Sequence, residues 1–225
     1  REKIQTTFVY VTHDQTEAMT LGDRIVIMKD GYVMQVGTPQ ELFNHPANLF
    51  VAGFIGTPQM NFFDAKLQKD GGKYSAIVEN AKIELPQHIN DALAKRGSVP
   101  EKVTLGVRPE NLILCADNAP NSIAAEIKVT EMMGSEIHIH AASSGGKDVI
   151  LRVQIADMSD DEQLDLIKRK KFSFTLRERT VNIFDPEDGR NLAVENAVPV
   201  PKKEESAVKT DEFGKSKKKE KKSKK

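Results

Sequence analysis

Between residues 62 and 184, turn signals cut the sequence into short strand-like runs, and this rhythm restricts the fold more than any other feature of the chain. The runs cover residues 62–68, 74–78, 82–85, 102–108, 122–132, 136–141, 148–153, 171–176 and 181–184. Asp70-Gly71-Gly72-Lys73, Pro109-Glu110-Asn111-Leu112, Gly134 and Ser143-Ser144-Gly145-Gly146 turn the chain between them, and Asp188-Gly189 supplies the last turn. Two helices interrupt the pattern: one over residues 87–95, closed by Gly97, and a short one opened by Ser159-Asp160-Asp161-Glu162. About eight to ten strands of this length suit a small β-barrel. Residues 136–141 alternate strictly, which assigns Ile137 and Ile139 to the core and both His138 and His140 to a solvated face. No third ligand joins the two histidines, and zinc takes three or four, so no metal site is assigned.

Residues 1–57 have a different texture. Residues 7–11 form a β-branched and aromatic run with no wet face, which predicts a parallel strand buried on both sides. Asp14 followed by Glu17 reads as a capping box, so a helix is expected over residues 15–21 with Gly22 as its left-handed cap. An apolar strand over residues 24–28 meets Asp30-Gly31, the signal for a type I′ hairpin into residues 32–36. Thr38-Pro39-Gln40-Glu41 is a second capping box, opening a helix over residues 39–44 that His45-Pro46 stops. Residues 48–55 carry Leu49, Phe50, Val51, Phe54 and Ile55 at helical spacing, either as plain core or as a docking face for the following domain. Gly56-Thr57-Pro58-Gln59 is a linker by composition. His13 thus falls at the carboxyl end of a strand, where open α/β sheets hold ligands, and beside a helix amino terminus that favours phosphate. It suits either donation to a phosphoryl oxygen or the role of a satisfied histidine in a strand-helix turn.

The 225 residues, 39% of them hydrophobic, leave room for one large or two modest domains. A single cysteine, Cys115, excludes an internal disulfide framework and suits a reducing compartment. No apolar run approaches the roughly 18 residues of a membrane span, and Arg1-Glu2-Lys3 lacks signal-peptide form, so a soluble chain is expected. A start without methionine, just ahead of a core strand, predicts an excised piece of a longer protein. There is no serine nucleophile elbow, dinucleotide fingerprint or Cys-x-x-Cys pair. The zero formal charge averages two opposites: residues 202–225 carry a net +6 and residues 1–201 a net −6. The Lys-rich tail has too few apolar side chains to fold, so disorder is expected there.

Val11-Thr12-His13-Asp14-Gln15-x-Glu17-Ala18-Met19-x-Leu21-x-Asp23-Arg24-Ile25 resembles the switch segment of ATP-binding cassette (ABC) transporter ATPases. The similarity continues through Asp30-Gly31, Gln35-Val36-Gly37-Thr38-Pro39, Phe50-Val51-Ala52-Gly53-Phe54-Ile55-Gly56 and Met60-Asn61-Phe62, in an order that resembles the maltose and multiple-sugar importer subunits. It implies an α/β remnant over residues 1–57, the carboxy-terminal end of a RecA-like ABC ATPase core. An all-β OB-like regulatory barrel of the TOBE/MOP type follows over residues 58–201, and then the tail over residues 202–225. Leu105-Gly106-Val107-Arg108-Pro109-Glu110 resembles the most recognisable motif of that barrel, read here as architecture. Gly106 permits close backbone approach, Pro109 fixes a turn, and Arg108 pairs with Glu110 or another carboxylate.

In that family the switch histidine contacts the γ-phosphate, which carries over to His13 as the one catalytic residue. The resemblance also implies ATP and Mg2+ as cofactors of the complete subunit, and a homodimer with a second copy. Permease subunits in the membrane and a sugar-binding protein are the implied partners, with a regulatory protein on the OB-like domain. The implied location is cytoplasmic, peripheral on the inner face of the cell membrane. Carbohydrate is the implied cargo, with glycerol phosphate, polyamine or metal as alternatives, and a stand-alone OB-type binding module as a reading of another class. Nucleic acid is not an expected partner, because there is no Trp and the basic residues gather in the tail. Three apparent motifs are rejected. Gly214-Lys215-Ser216 lacks the first glycine of a phosphate loop, since Lys209 stands there. Ser143-Ser144-Gly145-Gly146 lacks the Leu and Gln of the family signature, and Lys29 with Gly31 makes residues 25–30 a turn rather than an acidic-ended strand. The chain alone is therefore expected not to hydrolyse ATP.

Overall fold

A computed structural model describes residues 6–201. The Lys-rich tail, with its expected disorder and the rejected Gly214-Lys215-Ser216 match, lies outside the described residues, as does Arg1-Glu2-Lys3. The chain opens on a small unit: α1 (Gln15–Leu21), the hairpin β1 (Ile25–Lys29) and β2 (Tyr32–Gly37), then α2 (Pro39–Asn44) and α3 (Leu49–Phe54). Asp30 (φ 50°) and Gly31 (φ 84°) both take the left-handed conformation that a type I′ turn requires. The second capping box forms as expected: the Glu41 N–H donates to the Thr38 hydroxyl at 3.3 Å, and the Thr38 N–H donates to the Glu41 carboxylate at 2.7 Å. Ile27 and Met34 turn inward onto Leu42, Val51 and Ile55, and Met19 of α1 packs against this cluster.

Two expectations fail here. Residues 7–11 form no strand, and Phe8, Val9, Tyr10 and Val11 are between 65% and 90% exposed. A strand needs a neighbour to take its backbone groups, and among the described residues β1 pairs with β2 alone. Gly22 is not left-handed; it is extended (φ −82°, ψ 128°), and its N–H still donates to the Ala18 carbonyl at 3.1 Å. The next strand lies two residues beyond, so an extended exit serves the chain better than a reversal.

The second unit is all-β in its framework. Its elements are β3 (Asn61–Asp70), β4 (Lys73–Val78), β5 (Ala81–Glu84), α4 (Gln87–Ala94), β6 (Lys102–Val107), β7 (Leu112–Cys115), β8 (Ile123–Met132), β9 (Glu136–Ser143), β10 (Asp148–Gln154), α5 (Asp160–Lys168), β11 (Lys171–Leu176) and β12 (Asn182–Phe184). The strands form two five-stranded antiparallel sheets, ordered β12-β6-β3-β4-β5 and β10-β9-β8-β11-β7. Both sheets contribute to one core, with Phe63, Leu105, Val107 and Ile183 from the first meeting Ile137, Ile139, Leu151, Phe172 and Phe174 from the second. Asn61 bridges the sheets as a strand backbone would: its amide nitrogen donates to the Ile150 carbonyl and its amide oxygen accepts from the Ile150 N–H, each at 2.8 Å.

β7 departs from the expectation of a plain turn at Pro109. The turn forms over Pro109–Asn111, and the chain then pairs directly with β11, Leu112 opposite Leu176. The expectation for residues 136–141 holds for the two isoleucines and fails for one histidine. His138 is only 8% exposed, on a central strand where Arg152 of β10 and Glu131 of β8 are its cross-strand neighbours. Glu136 approaches it at 3.3 Å while also accepting from Arg152 and Gln154, which holds the Glu136 carboxyl below its ordinary range. His140 is half-exposed, with Glu131 at 3.2 Å.

The helical stripe of residues 48–55 serves both purposes open to it. Val51 and Ile55 enter the first core, while Leu49 and Ala52 pack on Met60, Phe62 and Phe184 of the β unit. Asn48 donates to the Val198 carbonyl at 2.9 Å and Asn191 to the Pro46 carbonyl at 2.8 Å, so the segment after β12 holds the amino-terminal end of this stretch.

Candidate functional site

Asp14 caps α1: its carboxylate accepts from the N–H groups of Thr16 at 2.7 Å and Glu17 at 3.1 Å. Glu17 does not complete the expected capping box. It turns the other way, accepting from the Thr12 hydroxyl at 2.7 Å and the Tyr10 hydroxyl at 3.2 Å. The Thr12 hydroxyl in turn accepts from the Asp14 N–H at 3.0 Å. Through its hydrogen bond and its charge, Glu17 raises the Tyr10 phenol above its ordinary value. The residues on both sides of His13 are therefore tied to one another and to α1. His13 itself lies at the bend, exposed, and makes no hydrogen bond to any of the described residues.

The chemistry at this bend is narrower than expected. The amino terminus of α1 does not offer itself to phosphate, because an anionic side chain already occupies its first free N–H groups and the helix has only seven residues. The His13 imidazole is left free of the described residues at this bend and can donate to an oxyanion or accept from a donor according to its protonation state. A fixed main chain beneath it means little conformational freedom is lost when it does so.

Two further residues join the bend to the rest of the molecule, and neither stands out for this in the sequence. The Gln15 amide oxygen accepts from the Gly56 N–H at 3.0 Å. Gly56 has φ 105°, and a Cβ there would sit 2.8 Å from Nη1 of Arg108. Arg108 is 3% exposed. Its Nη1 donates to the Ile55 carbonyl and, at 3.4 Å, to the Ala52 carbonyl, its Nη2 donates to the Phe43 carbonyl at 2.8 Å, and its guanidinium lies 4.1 Å above the centre of the Phe43 ring. The carboxylate pairing expected for Arg108 is thus replaced by backbone carbonyls from the ends of α2 and α3, which helices leave without internal partners. Burial pushes the Arg108 pKa down to about 10, with the nearby charge of Glu110 acting in the opposite direction. Its Nε has no partner. Counting orphan carbonyls would have called for a cation near these helix ends, but no local pattern says which one.

The rejected motifs have plain structural roles. Ser143 and Ser144 open the β9–β10 turn and donate their hydroxyls to Glu79, which fastens that turn to the one between β4 and β5. Residues 25–30 are one arm of the first hairpin and its turn.

Two antiparallel sheets around one core, entered through a helix that also closes a small α/β piece, define an OB-type β domain joined to that piece. A family model described as the MalK OB fold domain matches residues 56–112, and one described as the TOBE domain matches residues 105–166. The osmoprotective compounds uptake ATP-binding protein GgtA of Synechocystis sp. is 40% identical over 187 residues, covering 80% of this chain and 50% of that protein. The oligosaccharides import ATP-binding protein MsmX of Bacillus subtilis is 38% identical over 190 residues, covering 83% of this chain and 49% of that protein. The chain corresponds to the carboxy-terminal part of an ABC transporter ATP-binding subunit with a MalK-type regulatory domain, and it spans about half the length of the curated relatives it matches.

Proposed function

We propose that residues 1–57 complete the nucleotide-binding domain of an ABC importer ATPase and that residues 58–201 form its regulatory domain, followed by the Lys-rich tail. The observation that carries this reading is the locked bend at Thr12-His13-Asp14, which presents an exposed, unengaged imidazole on a fixed backbone. ATP supplies the phosphoryl group whose transfer to water drives transport. His13 donates a hydrogen bond to a terminal phosphoryl oxygen, stabilising the charge that gathers there and helping to orient the attacking water. A glutamate outside this chain is the base that the resemblance implies. Mg2+ belongs, in this reading, to the complete subunit, as the resemblance implies, and no residue of this chain is proposed to hold it.

The partners in this reading are a second copy, permease subunits in the membrane, a sugar-binding protein and a regulatory protein on the OB-like domain, with the subunit itself peripheral on the inner face of the cell membrane. Carbohydrate is the favoured cargo, supported by the oligosaccharide importer among the relatives; the osmoprotectant importer shows that related subunits serve other cargoes. The test is His13→Ala in the complete ATP-binding subunit. Nucleotide binding is expected to stay nearly intact while hydrolysis falls by about a hundredfold or more, the scale of losing one preorganised donor. Unchanged hydrolysis would remove His13 from the mechanism. The isolated chain is expected to show no ATP hydrolysis.

A further inference from the structure

We propose that Gln15 and Arg108 form a tie through which the β domain sets the position of His13, an inference that rests on the role of His13 in ATP hydrolysis. The argument begins with how little holds α1. It has seven residues and none of them is buried, and a helix so short does not persist in water by itself. Met19 leans on the first core, and Gln15 anchors the first turn by accepting from the Gly56 N–H. The bend at His13 is locked onto α1 by Thr12, Asp14 and Glu17, so it goes where α1 goes.

Gly56 in turn is not free to settle. It follows α3 directly, and the Ala52 and Ile55 carbonyls at the end of that helix are gripped by Arg108 from the far end of β6. The Nη1 of that guanidinium stands where a side chain on Gly56 would lie. Among the described residues Arg108 has no ion-paired carboxylate and its Nε is unsatisfied, so its desolvation is offset chiefly by these carbonyls and the Phe43 ring, with the charge of Glu110 adding to them. A shift of β6 relative to α3 withdraws those acceptors together. It therefore moves the end of α3, Gly56 and, through Gln15, the bend that carries the imidazole. Gln15 and Arg108 are positioning residues; neither is required to touch nucleotide.

Amide hydrogen exchange on the 225-residue chain tests the tie without reference to catalysis. In Gln15→Ala, exchange at Gly56 and along α1 is expected to quicken by about tenfold or more, while Gln15→Glu, whose carboxylate accepts the same bond, restores the wild-type rates. Arg108→Lys keeps the charge but cannot reach the Phe43 and Ile55 carbonyls at once. It is expected to quicken exchange in α1 as well, with β8 and β9 unchanged. Wild-type exchange in α1 of Arg108→Lys would overturn the proposal. Should that variant lose protection in β8 and β9, the reading passes to Gln15→Ala, which leaves the β domain unaltered, and undisturbed α1 amides in it would equally sink the idea. In the complete subunit, Gln15→Ala should lower turnover and not ATP affinity, with Gln15→Glu restoring it. If His13→Ala leaves hydrolysis unchanged, the role of His13 fails while the exchange result stands by itself; if His13→Ala stops hydrolysis and Arg108→Lys leaves α1 unmoved, only the tie fails.

Discussion

At the scale of single residues, the carboxylates at the helix caps decide how the molecule answers to acid. Backbone N–H groups at Thr38 and Ser159 hold the Glu41 and Glu162 carboxyls below their ordinary value of 4.5, each aided by the neighbouring hydroxyl. A carboxyl with a lowered folded-state pKa binds its proton more tightly in the unfolded chain, so its contribution is complete above 4.5 and is lost as pH falls through the folded value. The urea midpoint is therefore expected to drop as pH falls below about 4.5, and the double variant Glu41→Gln, Glu162→Gln should show a shallower drop. Both boxes were legible from sequence because cap and partner lie three residues apart. At Asp14 the same spacing misled, because Thr12 and Tyr10 compete for the Glu17 carboxylate and win it. His138 failed for a related reason: alternation tells which face a side chain takes, but not that this strand lies between two others, with Arg152 and Glu131 as cross-strand neighbours of His138.

Among the elements, those closed by local contacts were readable and those closed by distant ones were not. The β1–β2 hairpin needs only Asp30-Gly31 with both residues at positive φ, and a two-residue signal of that kind is visible in the sequence. β7 needs β11, more than 50 residues away, and nothing within Leu112–Cys115 announces it. Residues 7–11 have every local mark of a strand and still lack one, since no described strand lies beside them. The hairpin also allows a clean measurement. A Cβ on Gly31 would meet nothing within 4 Å, so Gly31→Ala introduces no clash and only the backbone preference is tested. The variant is expected to lose about 1 kcal/mol, the cost of holding an L-residue in the left-handed region, read as a lower urea midpoint with an unchanged slope. A larger loss would mean that the hairpin is held by more than its turn.

On the scale of the whole molecule, the question is whether the small α/β unit and the β domain act as one body, and Gly106 is where this can be asked. It sits in β6 two residues before Arg108, and a Cβ there would come 2.6 Å from the Met60 sulfur and 2.8 Å from the Phe184 ring. Met60 and Phe184 belong to the cluster with Ala52 of α3, so the empty space at Gly106 is what lets the β domain pack closely under that helix. Gly106→Val would push both side chains toward α3 and displace the helix end that Arg108 holds. Overpacking of this kind costs about 1–3 kcal/mol, and most of that cost should fall on the contact between the two units, because the large cluster shared by the two sheets does not include Met60 or Phe184. Hydrogen exchange in increasing urea is then expected to show α2 and α3 opening before β8 and β9 in the variant, where in the wild type they open together. If the variant lost protection evenly across both units, the contact at Gly106 would be part of a single cooperative core. The close packing under α3 would then serve stability alone, and a movement of the β domain could not be passed to the small α/β unit through it.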